Sequence, residues 1–333
     1  MPSLRARLIN TLFRLTVKPM WRPGLDIAEV RRHAAKSDAR LGRKPPDCPI
    51  EPVTIAGVQA QWFGAPELAA HNGTMLYLHG GAWCIHLPAL YAKFAATLSR
   101  VTGMRVLLPD YRLAPEHPFP AAIDDCFAVY RALGEGAAGT PVAIAGDSAG
   151  GSLSLVTLMR ARDASLPLPS CAVLLSPSTD ASMSGPSWRY NADADPMFSL
   201  GAGGLLADIY CPGQALTHPL LSPLFGVWGG LPPLYFLAGS TEMLLDDSVR
   251  AHDRALQAGV DARIDVWPDL PHVFPVISWM PEARDAVARI AAFIGGHARH
   301  ASALPLHTHH EALGDIVPAG ETVEAEQAGR ASL

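Results

Sequence analysis

Residues 141–163 read PVAIAGDSAGGSLSLVTLMRARD, and this stretch decides the fold. Its apolar start is short enough for a buried strand, its end carries apolar residues at helical spacing, and Gly146-Asp147-Ser148-Ala149-Gly150 lies between them. A serine held in a tight turn between a strand and a helix has its hydroxyl pushed out above the sheet. Glycines two residues to either side are required, because larger side chains would collide with neighbouring backbone. Ser148 would also stand at a helix N-terminus, where oriented N–H groups favour developing negative charge. Ser148 is therefore the candidate nucleophile.

Outward from this turn, short apolar runs alternate with helical stretches. TMLYLHG from Thr74, RVLLPDY from Arg105, CAVLLSP from Cys171, PLYFLAG from Pro233 and ARIDVWP from Ala262 read as strands. Residues 89–102, 121–133, 150–163, 248–258 and 281–294 read as helices, with Pro281 suited to a first turn and Gly259 to a stop. This alternation predicts an α/β fold around a mainly parallel sheet. EPVTIAG and VQAQWFG flank Gly57 as an antiparallel hairpin at the sheet's edge. Two stretches break the rhythm. Residues 1–45 carry candidate helices over 4–17 and, capped by Asp26, over 26–39. Residues of about 180–222 form a long, aromatic-dotted insertion of the kind that covers an active site. The expected organisation is an N-terminal cap segment (1–45), a catalytic domain (46–296) containing that insertion, and a disordered tail (297–333) poor in large apolar side chains.

The composition excludes several classes. In 333 residues, 49% hydrophobic and 17% charged side chains provide for a large core, and 26 basic against 31 acidic residues leave no excess for a nucleic-acid surface. No apolar run approaches the roughly 20 residues of a membrane span, and Arg14 interrupts the opening MPSLRARLINTLFRLTV before a signal-peptide core is complete. A cytoplasmic location without stable membrane insertion is expected. The five cysteines, Cys48, Cys84, Cys126, Cys171 and Cys211, form no CxxC and read as reduced thiols.

A serine nucleophile needs preorganised donors for an oxyanion. His79-Gly80-Gly81-Ala82-Trp83 follows the strand TMLYL and precedes a helix, so the N–H groups of Gly81, Ala82 and Ala149 are the candidate donors. Ala82 stands where a third glycine is usual, which strains the backbone if φ is positive there. His79 is read as a structural residue of this loop. The chain resembles the hormone-sensitive-lipase-like (bacterial family IV) esterases of the α/β-hydrolase superfamily over about 45–296. HGGAW at 79, YRLAPEHPFP at 111 with Asp124-Asp125, GDSAGG at 146 and PHVF at 271 carry the resemblance. It implies an eight-stranded α/β-hydrolase sheet with a helical cap, a serine carboxylesterase activity on short- to medium-chain esters, no cofactor or metal, and a possible homodimer.

In a nucleophile-elbow fold the order along the chain is serine, acid, histidine. His272, on a loop after the last strand, is the candidate base, whereas His252 falls inside a helix. The acid belongs on the loop after PLYFLAG, where Glu242, Asp246 and Asp247 compete. Loop position favours Glu242, although the family more often has Asp there; Asp246 stays open as the alternative, with helix capping as its ordinary role. Trp83, Cys84, His86, Tyr190, Phe198 and Leu206 are candidates for the substrate pocket, His86 replacing a residue usually small in the family. The tail histidines His297, His300, His307, His309 and His310 lack a carboxylate scaffold for a metal. Leu4, Leu8, Leu12 and Leu15 share one side of the first helix, as in a cap helix or a membrane-surface helix, and the cap placement is adopted. An acyltransferase or amidase shares these motifs and differs only in its acceptor, whereas a non-catalytic ligand-binding relative would be expected to lose a triad member, and this chain keeps a candidate for all three.

Overall fold

The computed structural model describes residues 2–22, 24, 26–41, 48–136, 139, 142–201 and 208–303. Eight strands form one sheet in the order β1-β2-β4-β3-β5-β6-β7-β8. β1 (Ile50–Ile55) and β2 (Val58–Phe63) are the expected hairpin, closed through Ala56 and Gly57, both at positive φ as a two-residue hairpin turn demands. β2 runs antiparallel to β4 (Arg105–Pro109), and the remaining pairs are parallel: β3 (Thr74–Leu78) with β4 and β5 (Ala143–Asp147), then β6 (Cys171–Leu175), β7 (Leu234–Gly239) and β8 (Ala262–Trp267).

Strand periodicity divides the core into two layers. Leu76, Leu78, Leu107, Ile144, Leu174 and Phe236 pack on one face. Met75, Tyr77, Val106, Ala145, Val173 and Leu237 pack on the other. Because β3, β5, β6 and β7 are buried on both faces, they read as unbroken apolar runs in the sequence.

Helices α1 (Leu4–Thr16), α2 (Ile27–Leu41), α3 (Glu67–Asn72), α4 (Pro88–Thr102), α5 (Ala121–Glu135), α6 (Ala149–Asp163), α7 (Ser187–Tyr190), α8 (Leu245–Gln257) and α9 (Pro281–Ala303) complete the described elements. Helix α6 packs between β5 and α5 and is buried on nearly all sides, which matches its small and aliphatic residues. Asp26 accepts from the Ala28 N–H and so caps α2 as expected.

Three expectations need correction. Helix α9 continues through His297 to Ala303, so the chain does not leave the fold at 297; His297 Nδ1 lies 2.9 Å from the Phe293 carbonyl oxygen. The rest of the expected tail, 304–333, lies outside the described residues. On α1 the buried residues are Ala6 and Ile9, while Leu4, Leu8, Leu12 and Leu15 face solvent, because Ala6 and Ile9 join the core layer that contains α4 and α9. The leucine stripe therefore does not seat α1 as a cap. Finally, Asp246 and Asp247 do not cap α8, whose N-cap residue is Leu244 without a side-chain cap.

Candidate active site

Ser148 follows β5 and precedes α6 with φ 51° and ψ −120°, a backbone conformation costly for a residue with a side chain. It is held because the flanking chain cannot relax. A Cβ on Gly146 would press on the Gly150 carbonyl, and one on Gly150 would press on the Leu78 carbonyl. The Ser148 N–H donates to the Leu175 carbonyl at the end of β6, 2.9 Å away.

Across β3, the loop 79–85 folds beside the elbow. Gly81 has φ 117°, and its carbonyl accepts from Cys84 and Ile85 N–H groups at 2.9 and 2.8 Å, so that a Cβ there would strike Ile85 backbone. Ala82 and Trp83 also take positive φ, 53° and 56°, so Ala82 adopts the backbone for which glycine is the easier residue. Among the described residues, the N–H groups of Gly81, Ala82 and Ala149 make no hydrogen bond. Asp147 links this loop to the elbow. Its buried carboxylate accepts from the Gly80 N–H (2.9 Å), the Tyr77 hydroxyl (2.7 Å) and the Tyr91 hydroxyl (2.8 Å). Burial pushes its pKa up to about 6, against the opposing effect of those three donors.

His79 is fully buried beneath the loop, stacked on Tyr111 with ring centroids 4.3 Å apart; the Tyr111 hydroxyl donates to the His79 carbonyl at 2.5 Å. Burial, and secondly the nearby His86, lowers its pKa to about 3, so the ring is neutral. His86 stacks on the other side at 5.0 Å, and with Asp110 these two histidines place metal-capable atoms within 4.8 Å of one another.

At the other side of the elbow, His272 and Glu242 form a buried pair: Nδ1 of His272 is 2.7 Å from Oε2 of Glu242, with exposures of 4% and 0%. The second carboxylate oxygen of Glu242 accepts from the Ser176 hydroxyl (2.8 Å) and from the Gly239 N–H. Ser176, itself at φ 45°, also accepts from the Val273 N–H at 3.2 Å and so grips the histidine loop as well. Burial opposes protonation of His272, but the Glu242 hydrogen bond and the charges of Glu242, Asp195 and Asp147 outweigh it and raise the pKa above its usual 6.5. With Nδ1 committed to Glu242, Nε2 of His272 is buried without a hydrogen-bond partner among the described residues.

Asp246 lies four residues on and does different work. It accepts from the Ser187 N–H at 2.7 Å and the Tyr190 hydroxyl at 3.3 Å, which fastens the insertion to α8. Tyr190 is accordingly 58% exposed and engaged with Asp246. Asp247 accepts from Thr179 and Asp180 N–H groups at 2.7 and 2.9 Å. Of the other pocket candidates, Phe198 packs edge-on against His272 with centroids 5.0 Å apart, and Trp83 stacks on Tyr210 at 4.6 Å. Cys84 is buried below the loop, and Leu206 lies outside the described residues.

Four positioning residues escaped the sequence reading. Asn191 donates to the Ser240 and Glu242 carbonyls at 3.0 and 2.8 Å. Asp195 accepts from Met243, Met197 and Phe198 N–H groups, tying the insertion to the Glu242 loop. Arg31 of α2 donates to the Cys84 and Ala114 carbonyls and pairs with Glu116 at 2.6 Å, and Asp38 accepts from the first N–H groups of α4 at 2.8 and 2.9 Å. Each stands among other polar residues in the sequence, so no local signal marks it.

A protein-family model of the alpha/beta hydrolase fold matches residues 75–276. The chain belongs to this family. An acetyl-hydrolase of Streptomyces hygroscopicus is 35% identical over 88% of this chain and 97% of its own. The crystal structure of an esterase from the bacterial hormone-sensitive lipase family superposes with a TM-score of 0.82 at 35% identity, covering 90% of this chain and 99% of that one. A crystal of the esterase EstE5 soaked with p-nitrophenyl butyrate gives 0.82 at 34% identity over 89% and 99% of the two chains. This hydrolase's eight-stranded, mostly parallel sheet is the architecture its motifs imply. No helix among its described residues is long and apolar enough to cross a membrane.

Proposed function

We propose that Ser148, His272 and Glu242 are the nucleophile, base and acid of a serine carboxylesterase, with Gly81, Ala82 and Ala149 as its oxyanion donors. One observation carries the reading: Glu242 occupies Nδ1 of a buried His272 and leaves Nε2 without a partner, in a fold that exposes Ser148 on a strained elbow. Nε2 takes the proton of the Ser148 hydroxyl as its oxygen attacks the ester carbonyl, and Glu242 steadies the resulting imidazolium. The tetrahedral oxyanion accepts from the three N–H groups, which have no competing acceptor among the described residues. His272 protonates the departing alcohol, leaving an acyl-serine. It then removes a proton from water, whose oxygen attacks the acyl carbon; the acyl–Oγ bond breaks, His272 returns the proton to Ser148 Oγ, and the carboxylic acid leaves. Every proton is carried by His272, so the reaction as drawn uses no cofactor.

Short to medium acyl chains fit the reading, since the relatives above are named for acetyl esters or were soaked with a butyrate ester. Phe198, Trp83 and His86 flank the loop and the base, where an acyl or alcohol group would lie. A cytoplasmic location agrees with five free cysteines. A homodimer would use the open outer edge of β8, and the acidic net charge of −5 speaks against nucleic acid as a partner. The test is covalent labelling with a fluorophosphonate, followed by peptide mass spectrometry. The expected adduct is on Ser148 and disappears in Ser148→Ala; an adduct on another serine overturns the assignment.

A further inference from the structure

Among the described residues, the face of α1 turned to solvent is the most apolar helix face left uncovered. Leu4, Leu8, Leu12 and Leu15 are 82%, 64%, 49% and 73% exposed, and their spacing of four, four and three places them in one stripe. At 1.5 Å per residue the stripe is about 16 Å long, enough to lie along a surface and too short to cross a bilayer. Trp279 adds an amphipathic ring, 42% exposed, and its carbonyl accepts from Arg5 of α1 at 2.7 Å.

The charge around the stripe says what covers it. Helix α1 contains Arg5, Arg7 and Arg14 and no Asp or Glu. Helical spacing puts Arg5 on one flank of the leucines and Arg7 and Arg14 on the other. Arg5, Arg14 and the following Lys18 bond to neutral backbone carbonyls, of Trp279, Ala194 and Asp195 respectively, and none of the three meets a carboxylate among the described residues. Their positive charge is thus left to an external anion. A second copy is a poor fit: pairing two α1 helices face to face would set these cations against each other with no acid on either helix.

We propose that α1 is a docking helix for an anionic lipid surface, with the leucine stripe and Trp279 entering the acyl boundary and the basic flanks meeting phospholipid headgroups. The helix is already built. Ser3 caps it, Ser3 also bonds to Glu282, Asn10 bonds to the Asp269 carbonyl, and Ala6 and Ile9 anchor it in the core, so docking has no helix-folding cost to overcome. Its far end is joined to the active-site insertion: Lys18 holds the Ala192 and Asp195 carbonyls, and Trp21 packs on Phe198, the ring against His272. The chain just beyond α1 thus reaches the base through Trp21 and Phe198, an arrangement that suits esters dissolved in or shed from a membrane. That last clause rests on the esterase reading; docking itself does not.

The experiment is co-sedimentation of the full chain with phosphatidylcholine vesicles, with and without phosphatidylglycerol, at low and high salt. Turnover of soluble p-nitrophenyl acetate is followed separately. Wild type is expected to sediment with the anionic vesicles and to be released by salt. The Leu8→Glu/Leu12→Glu variant, altered only at exposed positions, is expected to lose at least about tenfold in partitioning while its acetate turnover is unchanged. Failure of wild type to sediment with either vesicle overturns the proposal, as does equal sedimentation of the variant or equal binding to neutral lipid. A dimer that dissolves in the variant, without lipid binding, would assign the stripe to a second copy. Loss of acetate turnover in wild type would count against the esterase reading and leave docking to be judged by sedimentation alone.

Discussion

The elbow at 146–150 and the acid loop at 239–247 both follow a strand of the same sheet, and they specify their chemistry in opposite ways. At the elbow, backbone sterics decide: two glycines admit close backbone, and one serine is held at φ 51°. On the acid loop, three carboxylates share one chemical type and tertiary partners sort them. Glu242 meets His272 and Ser176, Asp246 meets Ser187 and Tyr190, and Asp247 meets the Thr179 and Asp180 amides. A local motif can therefore single out the candidate nucleophile, whereas the three carboxylates of the acid loop are told apart by their tertiary partners.

The sharpest way to break this contrast is at the elbow itself. Ser148→Ala should lower kcat for p-nitrophenyl acetate by about 10⁴–10⁶-fold with little change in thermal midpoint, because other members of such a unit add little without the nucleophile. Retained turnover would remove Ser148 from the reaction. On the oxyanion loop, Gly81→Ala should cost about 10²–10³-fold in kcat, since φ 117° and the Ile85 backbone leave no room for the methyl group and the donor must move. Near-normal kcat with an unchanged KM would show that the loop accepts a Cβ and that its geometry is not limiting.

The pH profile sharpens the acid side. As the proposed base, His272 has to be neutral to accept a proton, and its pKa is raised above the usual 6.5, so kcat/KM should rise through an acid limb displaced upward from that value. Replacing Glu242 by Gln removes the largest influence raising that pKa and should move the limb to lower pH even as the plateau falls. A limb that stays in place would separate Glu242 from the titrating group. The smallest expected effect belongs to Ala82. Glycine tolerates φ 53° better, so Ala82→Gly should stabilise the fold by about 1 kcal/mol or less, read as a rise of about 1–2 °C in thermal midpoint. A fall would mean that the Ala82 methyl packs usefully.

Much of the fold was legible because its determinants are local. β3, β5, β6 and β7 announce themselves as apolar runs, and Pro281 and Gly259 mark helix boundaries through φ preferences that operate without tertiary context. The brackets around the site were not legible. Asn191, Asp195, Arg31 and Asp38 act through hydrogen bonds to backbone groups of segments up to 83 residues away in the sequence, and no spacing rule encodes such a partner. The orientation of α1 is hidden in the sequence for a related reason. Leu4, Leu8, Leu12 and Leu15 form the more apolar stripe, yet Ala6 and Ile9 fit the space beside α9.

The division of labour between neighbouring carboxylates is tested most directly by kcat/KM of Glu242→Gln and Asp246→Asn on one soluble ester, at a pH above the acid limb. The geometry predicts a loss of about 10²–10⁴-fold in Glu242→Gln, since the imidazolium loses its buried counter-charge, and a loss below about threefold in Asp246→Asn, whose partners belong to the insertion. The reverse ranking, with Asp246→Asn crippled and Glu242→Gln nearly intact, would contradict the assignment of Glu242 as the acid.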